Sequence, residues 1–326
     1  ARPAATAATG AEAGPPAPIP ILMCINARYA QHAAVCLVSL IENNRDSFFD
    51  VVIAVTEALG TEEIKLRQSL APYKNCKLEI KHFTVPPEVT LPVTKSRYTI
   101  DTYTRLWAAE FFPEETRQIL YLDADMVVVG DIRELWSIDL GQYVIAAATI
   151  PRSDRCRALG IPERYGYFNA GVLLINLALW RSDGLRDHLL AYISANSEKI
   201  VDVDQDVLNA CLYTRRLPLP YVWNVIVPFF FNYFPLGIPA EELRAVQQHA
   251  RIIHFNSDSK PWHYLCQHPR RSEYWKYLDK TAWRYFTPED RTAINWVKKH
   301  LGSRLPEGMR RYLKSLVYRG QMRSRI

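Results

Sequence analysis

Two carboxylates interrupt an otherwise apolar run in the segment ILYLDADMVVV. Asp123 and Asp125 are separated by one residue, and in an extended chain residues i and i+2 project to the same side. A buried ionised carboxylate is costly unless it is paired or bound to a cation. Carboxylate and phosphate oxygens together suit Mg²⁺ or Mn²⁺. The pair therefore indicates a divalent-metal site, although Asp at a strand end also serves ordinary turns and helix caps.

Two further segments place polar side chains beside apolar ones. The predicted strand YFNAGVLLINL (Tyr167–Leu177) contains Asn169 followed by small residues, which allow a ligand or another backbone to approach closely. A tight strand entry would explain the same pattern. In VDVDQDVLNA, three acids surround Gln205 at the predicted start of an apolar helix. Acids favour a helix N-terminus, but three exceed what capping requires, which favours a functional role for Asp204 and Gln205.

The fourth segment is RIIHFNSDSKPWH, in which His254 ends a short apolar strand and a polar loop leads to Lys260. Histidine is a common transition-metal ligand, and lysine provides a positive charge for phosphate. A lone histidine of this kind is more often a core residue. Together with the two aspartates, however, His254 completes a plausible set of Mn²⁺ ligands.

The elements that would position these residues alternate along the chain. Strands are predicted at 18–26, 50–56, 76–83, 117–129, 167–177 and 252–254. Helices are predicted at 32–44, 61–70 and 99–112, and a further helix is predicted to start within 201–210. This alternation predicts an α/β fold with a mainly parallel sheet and helices on both faces. Ligands bind such sheets at the carboxyl ends of the strands, so polar residues that close apolar strands are candidates for the site.

The composition is that of a folded protein. With 326 residues and 48% hydrophobic content, the chain can form one large α/β domain with an appendage, or two small domains. It contains no uninterrupted apolar stretch approaching the length of about 18 residues expected of a membrane span. Residues 1–18 are rich in Ala, Pro and Gly and predict a flexible leader. Six scattered cysteines are expected to be reduced, which favours the cytoplasm.

Basic charge is concentrated at the end of the chain. Residues 291–326 contain ten Lys and Arg against one acid, whereas the whole chain carries +6, so the rest is net negative. We therefore predict a small helical, aromatic and basic C-terminal segment, 266–326, that attaches the protein to an anionic membrane surface. A helix docked on the body is the alternative. Nucleic acid is not an expected partner, because the body is net acidic and lacks a recognition motif.

Taken together and in order, the motifs resemble glycosyltransferase family 8. LDAD, FNAGVLLINL, DQDVLN and HFNSDSKPWH carry the resemblance, and SRYTIDTYTRL and the first strand extend it to residues 19–262. The family includes glycogenin and bacterial lipopolysaccharide galactosyl- and glucosyltransferases, and this chain most resembles the lipopolysaccharide enzymes. The resemblance implies a Rossmann-like GT-A catalytic domain over 19–265 that retains anomeric configuration. It further implies Mn²⁺ (with Mg²⁺ as an alternative), UDP-glucose or UDP-galactose as donor, and a saccharide acceptor, free or lipid-linked.

The resemblance also implies roles for individual residues. The metal ligands would be Asp123, Asp125 and His254. The donor would be bound by Asn26, Tyr29, Arg105, Asp123, Ala124, Asn169, Ser257 and Lys260. The catalytic residues nearest the transferred sugar would be Gln205 and Asp204. Because an amide is a poor nucleophile, a front-face substitution in which UDP takes the acceptor proton is preferred, with Asp204 as the nucleophile of an alternative two-step route.

Two positions depart from the pattern of the family. The first strand leads into CINARYA, where the family often has an Asp-rich turn near uracil, so Asn26 offers an acceptor without the charge. Ser257 stands where the family usually has Gly, and Ser adopts a positive φ poorly.

Two other functions would use similar residues. A nucleotidyltransferase also combines Asp-bound metal with a nucleotide, but FNAG and KPW argue against it. A non-catalytic sugar-nucleotide-binding protein at the membrane is the second alternative. The presence of all three candidate metal ligands and of Gln205 argues against such a decayed site.

Overall fold

The structure is a computed structural model that describes residues 17–93, 99–231 and 236–301. The strands are β1 (Ile19–Cys24), β2 (Phe49–Val55), β3 (Cys76–His82), β4 (Gln118–Leu122), β5 (Met126–Val128), β6 (Ile145–Ile150), β7 (Tyr167–Phe168), β8 (Val172–Asn176), β9 (Arg216–Leu219), β10 (Val225–Ile226) and β11 (Ile252–His254). The α-helices are α1 (Ala30–Asn43), α2 (Thr61–Leu70), α3 (Arg133–Trp136), α4 (Arg155–Leu159), α5 (Leu177–Ser182), α6 (Leu185–Ala195), α7 (Val203–Leu212), α8 (Ala240–Gln248), α9 (Arg271–Leu278) and α10 (Ala293–Leu301). Nearly all of the predicted leader, and residues 302–326 of the predicted tail, lie outside the described residues.

The larger sheet has the strand order β3-β2-β1-β4-β8-β6-β7, with β9 also paired to β6. Strands β1 to β4 run parallel to one another, and β9 runs parallel to β6. The exception at the centre is β8, which is antiparallel to both β4 and β6. The predicted mainly parallel α/β sheet is confirmed.

Helices cover both faces of this sheet, because consecutive strand residues project to opposite sides. In β1, Ile21 and Met23 enter one core, which α1, α2 and α9 cover. Leu22 enters the other core, which α6 and α7 cover together with the 3-10 helix Ile100–Phe111. That segment was predicted as an α-helix. It is instead a 3-10 helix whose backbone leaves helical geometry at Trp107.

The predicted strand 117–129 is not continuous, and this corrects the expected alignment of its two aspartates. The chain leaves the larger sheet after β4 and enters a smaller sheet of order β10-β11-β5. Asp123 N–H donates to the Gly171 carbonyl at 2.8 Å, whereas the Asp125 carbonyl accepts from Phe255 N–H at 2.9 Å. The aspartates are therefore held by different partners across a bend, and not by the alternation of one strand.

The predicted strand 167–177 is also interrupted. β7 pairs with the end of β6, and β8 pairs with β4, so Asn169, Ala170 and Gly171 form the connection between them. This break places the polar and small residues of the FNAG motif next to the end of β4, at the carboxyl edge of the larger sheet.

The chain returns to the main body through α9, which packs against α1. The Tyr274 hydroxyl accepts from Gln31 Nε2 at 2.9 Å and lies 2.7 Å from His32 Nδ1, and all three residues are buried. Burial lowers the pKa of His32 to about 3, so the ring is neutral at physiological pH. Trp262 stacks on the same ring, with 3.4 Å between centroids.

The described part of the C-terminal segment is packed on the body as far as Trp283, which is buried in the same core as β1. Among the described residues, no helix is long and apolar enough to span a bilayer. All six cysteines are free.

We expect Tyr274→Phe to lower the free energy of unfolding by about 1–3 kcal/mol, because it leaves Gln31 and His32 without a buried hydrogen-bond partner. Urea denaturation measures the change. Tyr285→Phe, at a residue that is 83% exposed, is the matched control and should change stability by less than about 0.5 kcal/mol. Equal effects of the two substitutions would contradict this role of the Tyr274 hydroxyl.

Candidate active site

The predicted metal ligands meet at the ends of three strands. Asp123 follows β4, Asp125 precedes β5, and His254 ends β11, which pairs antiparallel with β5. His254 Nε2 lies 3.2 Å from Asp125 Oδ1 and 3.8 Å from Asp123 Oδ2. One ligand atom from each residue lies within 4.8 Å of the other two.

Close approach at this point depends on Gly171. A Cβ atom there would lie 2.5 Å from His254 Cε1 and 2.8 Å from Asp123 Oδ2, which is too close for either neighbour. The absence of a side chain therefore lets the imidazole and the carboxylate share one space, as the small residues of the motif predict.

The hydrogen bonding of His254 tests whether the cluster fits a metal. Its Nδ1 lies 3.0 Å from Asn224 Oδ1. Because a carbonyl oxygen only accepts, Nδ1 carries the proton and the Nε2 lone pair faces the two carboxylates. Such a bond from the other ring nitrogen is typical of histidine metal ligands. Two carboxylates and one imidazole nitrogen therefore fit a divalent cation such as Mn²⁺.

The same bond begins a chain of donors that all point in one direction. Asn224 Nδ2 donates to Asn169 Oδ1 at 2.8 Å, and Asn169 Nδ2 donates to Gln205 Oε1 at 2.9 Å. Gln205 Nε2 then donates to the Tyr167 hydroxyl at 3.1 Å, which donates to Asp206 Oδ1 at 2.7 Å. A carboxylate only accepts hydrogen bonds, so the Tyr167 hydroxyl must donate to Asp206. Each side chain further along the series must then donate in the same direction, toward Asp206.

Asp206 is fully buried near the start of α7. Its Oδ2 accepts from the backbone N–H groups of Val201 and Asp202, each at 2.8 Å, and from the Arg155 guanidinium at 2.5 Å. This acid therefore fixes the turn that leads into the helix, which is a structural role, although it is not the helix N-cap. Within this segment, Asp204 and Gln205 remain candidates for a direct role in the active site.

The backbone is strained immediately before these two residues. Val203 has a φ of 43°, which a β-branched side chain rarely adopts. The residue is buried, so its surroundings hold it in this conformation. The turn directs Asp204 toward Arg105 and Gln205 toward the FNAG connection.

Arg105 connects two of the acids. Its Nη2 donates to Asp123 Oδ1 at 2.9 Å. Its Nε also lies 2.9 Å from Asp204 Oδ2 but donates its hydrogen to the Thr102 carbonyl at 3.1 Å, so the contact with Asp204 is one of charge. Burial lowers the pKa of Arg105, but the charges of Asp123 and Asp204 outweigh it and keep the side chain protonated.

Asp204 is 2% exposed. Burial raises its pKa to about 7, with a further increase from Asp123, and Arg105 offsets only part of this shift. Its protonation therefore changes near neutral pH.

Lys260 lies against the candidate metal ligands. Its Nζ donates to Asp125 Oδ2 at 2.5 Å and to the Phe255 carbonyl at 2.7 Å. Burial would raise the pKa of Asp125, but the charge of Lys260 and the contact with His254 hold it well below its usual range. The lysine therefore places a positive charge directly beside the candidate metal ligands.

The remaining predicted donor residues line the neighbouring edge. Asn26 Nδ2 donates to Asp101 Oδ2 at 3.2 Å, and within the described part of the chain its buried Oδ1 has no partner and remains an acceptor. Tyr29 lies edge-on to Trp262 at 6.3 Å. The acids Asp125 and Asp123, after burial itself, raise the pKa of the Tyr29 hydroxyl, which places it close to them.

The last two predicted donor-binding residues are Ala124 and Ser257. Ala124 is buried between the two aspartates, and the Ser257 hydroxyl donates to the Ser259 carbonyl of its own loop at 3.0 Å.

Sequence reasoning missed several residues that organise the site. They are Asp101, Arg155, Tyr167 and Asn224. Asn224 left a signal, because it interrupts the apolar run YVWNVIV much as the aspartates interrupt ILYLDADMVVV. The partner that makes it informative, His254, is distant in sequence.

Solved structures with this architecture were found by comparison. Galactosyltransferase LgtC, in complex with donor and acceptor sugar analogs, superposes with a TM-score of 0.70 at 20% identity, over 83% of this chain and 98% of that one. Glycosyltransferase GlyE of Streptococcus pneumoniae TIGR4 gives a TM-score of 0.60 at 24% identity, over 80% of this chain and 60% of that one. The chain therefore has the GT-A fold of these structures, with the Asp-x-Asp bend at the carboxyl edge of the sheet.

Sequence relatives identify the family within that fold class. The profile described as glycosyl transferase family 8 matches residues 20–266. General stress protein A of Bacillus subtilis (strain 168) is 26% identical over 81% of this chain and 94% of its own length. Lipopolysaccharide 1,2-glucosyltransferase of Escherichia coli (strain K12) is 26% identical over 84% and 82%. Lipopolysaccharide 1,3-galactosyltransferase of Salmonella typhimurium (strain LT2) is 27% identical over 65% and 64%. The chain belongs to glycosyl transferase family 8, and this favours sugar transfer over nucleotidyl transfer.

We expect Asn224→Leu to weaken Mn²⁺ binding by about 10–100-fold, because His254 loses the acceptor that orients its ring. Asn224→Asp keeps an acceptor for Nδ1 but loses the donor to Asn169 Oδ1, so its affinity should lie between those of Asn224→Leu and the wild type. Titration calorimetry with Mn²⁺ measures both. Equal affinity of Asn224→Leu and the wild type would contradict the assigned tautomer.

We expect Asp204→Asn to remove a pH dependence of stability. The pKa of Asp204 is higher in the folded protein, about 7, than in the unfolded chain, about 3.9. Its contribution is therefore fully present below about pH 4 and is lost as pH rises to 7, by up to about 1.4 kcal/mol per pH unit. Urea unfolding in EDTA at pH 5, 6, 7 and 8 should show the wild type losing stability relative to the variant only up to pH 7. A constant difference would contradict the shifted pKa.

Proposed function

We propose that the protein transfers a hexose, glucose or galactose, from a UDP-sugar to a saccharide acceptor with retention of configuration and with Mn²⁺ as cofactor. The observation that carries this proposal is the convergence of Asp123, Asp125 and His254 at the carboxyl edge, flanked by Lys260 on one side and Arg105 on the other. The acceptor is proposed to belong to lipopolysaccharide or another surface glycan. Two relatives named as lipopolysaccharide glycosyltransferases support that choice.

In this proposal Asp123, Asp125 and His254 hold the metal. A bound Mn²⁺ would neutralise negative charge on the diphosphate as the bond to the sugar breaks. The Lys260 ammonium adds a second positive charge at the same place. Asn26 and Tyr29 lie where a nucleobase and ribose would extend from the diphosphate along the edge of β1.

Arg105, Asn169 and Gln205 surround the proposed position of the sugar. Arg105 is held by Asp123 and Asp204, so it is oriented before any substrate arrives. The Gln205 carbonyl already accepts from Asn169 Nδ2 and from the Ala170 backbone N–H at 3.0 Å. Its lone pairs are therefore engaged, which weakens it further as a nucleophile and suits a residue that positions the donor.

We favour front-face substitution on these grounds. Asp204, the carboxylate of the two-step alternative, is buried against Arg105, and with a pKa of about 7 it is partly protonated at neutral pH. Both features reduce its nucleophilicity. In the front-face route the departing UDP takes the proton of the acceptor hydroxyl, so no protein base is required.

We also propose that the protein acts in the cytoplasm, attached peripherally to the inner face of the membrane by its C-terminal segment. The basic and aromatic composition of residues 291–326 supports this. Undiminished sedimentation of a chain lacking residues 302–326 with anionic vesicles would contradict attachment through the tail.

The proposed function is tested by screening UDP-, GDP- and dTDP-hexoses for hydrolysis and thermal stabilisation in the presence of Mn²⁺. UDP-glucose or UDP-galactose should be hydrolysed, and Asp125→Asn should reduce hydrolysis by about 100-fold or more because a metal ligand is lost. Asp187→Asn, at an exposed acid, is the matched control and should have no effect. Full turnover in excess EDTA would exclude the metal-dependent mechanism.

Gln205 distinguishes the mechanisms. We expect Gln205→Ala to slow transfer by about 100-fold or more, while UDP affinity changes less than about twofold, because the residue acts on the sugar and not on the nucleotide. Single-turnover kinetics and UDP titration measure the two quantities. Mass-spectrometric detection of a glycosyl adduct on Asp204 would instead establish double displacement.

A further inference from the structure

Apart from the candidate active site, a cleft lies between α9 and α10, next to the segment that follows Lys260. Its volume is about 560 Å³. Its lining combines basic, aromatic and hydroxyl side chains: Tyr264, Arg271, Ser272, Trp275, Phe286, Thr287, Pro288, Arg291 and Lys299. None of these residues belongs to the proposed donor site.

Three cations converge on this cleft from separate elements. Arg271 begins α9, Arg291 precedes α10, and Lys299 lies near the end of α10. The Lys299 ammonium lies 4.1 Å from the centre of the Tyr264 ring and donates to the Tyr264 carbonyl at 3.0 Å. Arg291 lies over the same ring at 5.9 Å, and Arg271 donates to the Cys266 carbonyl at 3.0 Å.

The cleft lining carries an excess of positive charge. It contains no acid, and among the described residues none of the three cations forms an ion pair. Asp290, which precedes Arg291 in the chain, uses Oδ1 to accept from Tyr264 N–H at 2.8 Å. Partial burial, followed by the charges of Arg271 and Arg291, lowers the pKa of Lys299, and the charge of Asp290 offsets part of this shift. Like charges around one cleft repel one another, and an anion would relieve this repulsion.

The rest of the lining suits a ligand with an apolar part. The Trp275 and Phe286 rings lie 6.2 Å apart and form one wall. Trp275 is itself anchored, because its Nε1 donates to the Pro261 carbonyl at 2.9 Å. The cleft thus presents cations beside a fixed aromatic surface.

We propose that this cleft binds a phosphate group carried on a larger, partly apolar molecule. Two arginines and a lysine can supply several charge-assisted hydrogen bonds to the oxygens of one phosphate, and the arginine fork matches its geometry. The phosphate can be that of a lipid headgroup or of a soluble phosphorylated compound. Either would be held next to the loop that ends the donor site.

The first experiment uses a soluble phosphate ester without nucleotide or metal. Glycerol 3-phosphate is titrated into the full chain in EDTA and followed by titration calorimetry, with glycerol as the uncharged reference. The double variant Arg291→Gln/Lys299→Gln should weaken binding at least about tenfold. Lys276→Gln/Arg284→Gln removes the same charge from the same region outside the cleft, and should change binding by less than about twofold.

The second experiment uses vesicles of phosphatidylglycerol, with phosphatidylcholine vesicles as reference. Loss of sedimentation in the cleft variant but not in the control variant assigns the site to a lipid headgroup. A tenfold effect on glycerol 3-phosphate alone assigns it to a soluble phosphorylated ligand. If the two double variants behave alike with both probes, the proposal is overturned.

Two further measurements keep the test decisive. If the double variant melts early, the single substitution Lys299→Gln, at an exposed side chain, replaces it. Hydrolysis of the UDP-sugar should be equal in the cleft and control variants, since neither alters the donor site. Failure of the donor assay in the wild type would contradict the proposed function and leave the phosphate measurements unaffected.

Discussion

The geometry of the site depends on one buried carboxylate. Asp206 accepts from Tyr167, and this fixes the direction of the hydrogen bonds that run through Gln205, Asn169 and Asn224 to His254. Reversing any amide in this series would place two donors or two acceptors face to face in a buried environment, which is costly. The proton position on His254, at the end of β11, is therefore set by a residue on helix α7, and so is the ability of Nε2 to bind a metal.

A second constraint is the concentration of acids at one edge of the sheet. Buried carboxylates persist only with compensating charge or protonation. Asp206 has Arg155, Asp123 has Arg105, and Asp125 has Lys260. Asp204 shares Arg105 with Asp123 and is compensated least, which is why its pKa is raised while that of Asp125 is lowered. The proposed phosphorylated donor and divalent cation would enter a site whose charges are already arranged in pairs.

Local patterns explain how much of this could be predicted. The bounds of β1 to β3 and of α2 follow from apolar periodicity and agree with prediction to within about two residues. The bend at Asp123–Asp125 could not be predicted, because the chain passes there from the larger sheet to the smaller one. The break at Asn169–Gly171 could not be predicted either, because β7 pairs with the end of β6 whereas β8 pairs with β4. Polar and charged residues at strand ends could be identified from the sequence because they interrupt apolar runs. Asn224 and Arg155 were missed because their significance lies in partners distant along the chain.

The docking of α9 has a consequence for the order of events during synthesis. Tyr274 contacts Gln31 and His32, and the His32 ring carries Trp262, which borders Tyr29. The beginning of the sheet is made first, but the wall behind its first turn comes from residues made more than 200 positions later. A growing chain thus exposes the strand edge before the wall of the proposed donor site is in place. That site would be complete only after α9 has been made and has closed on α1.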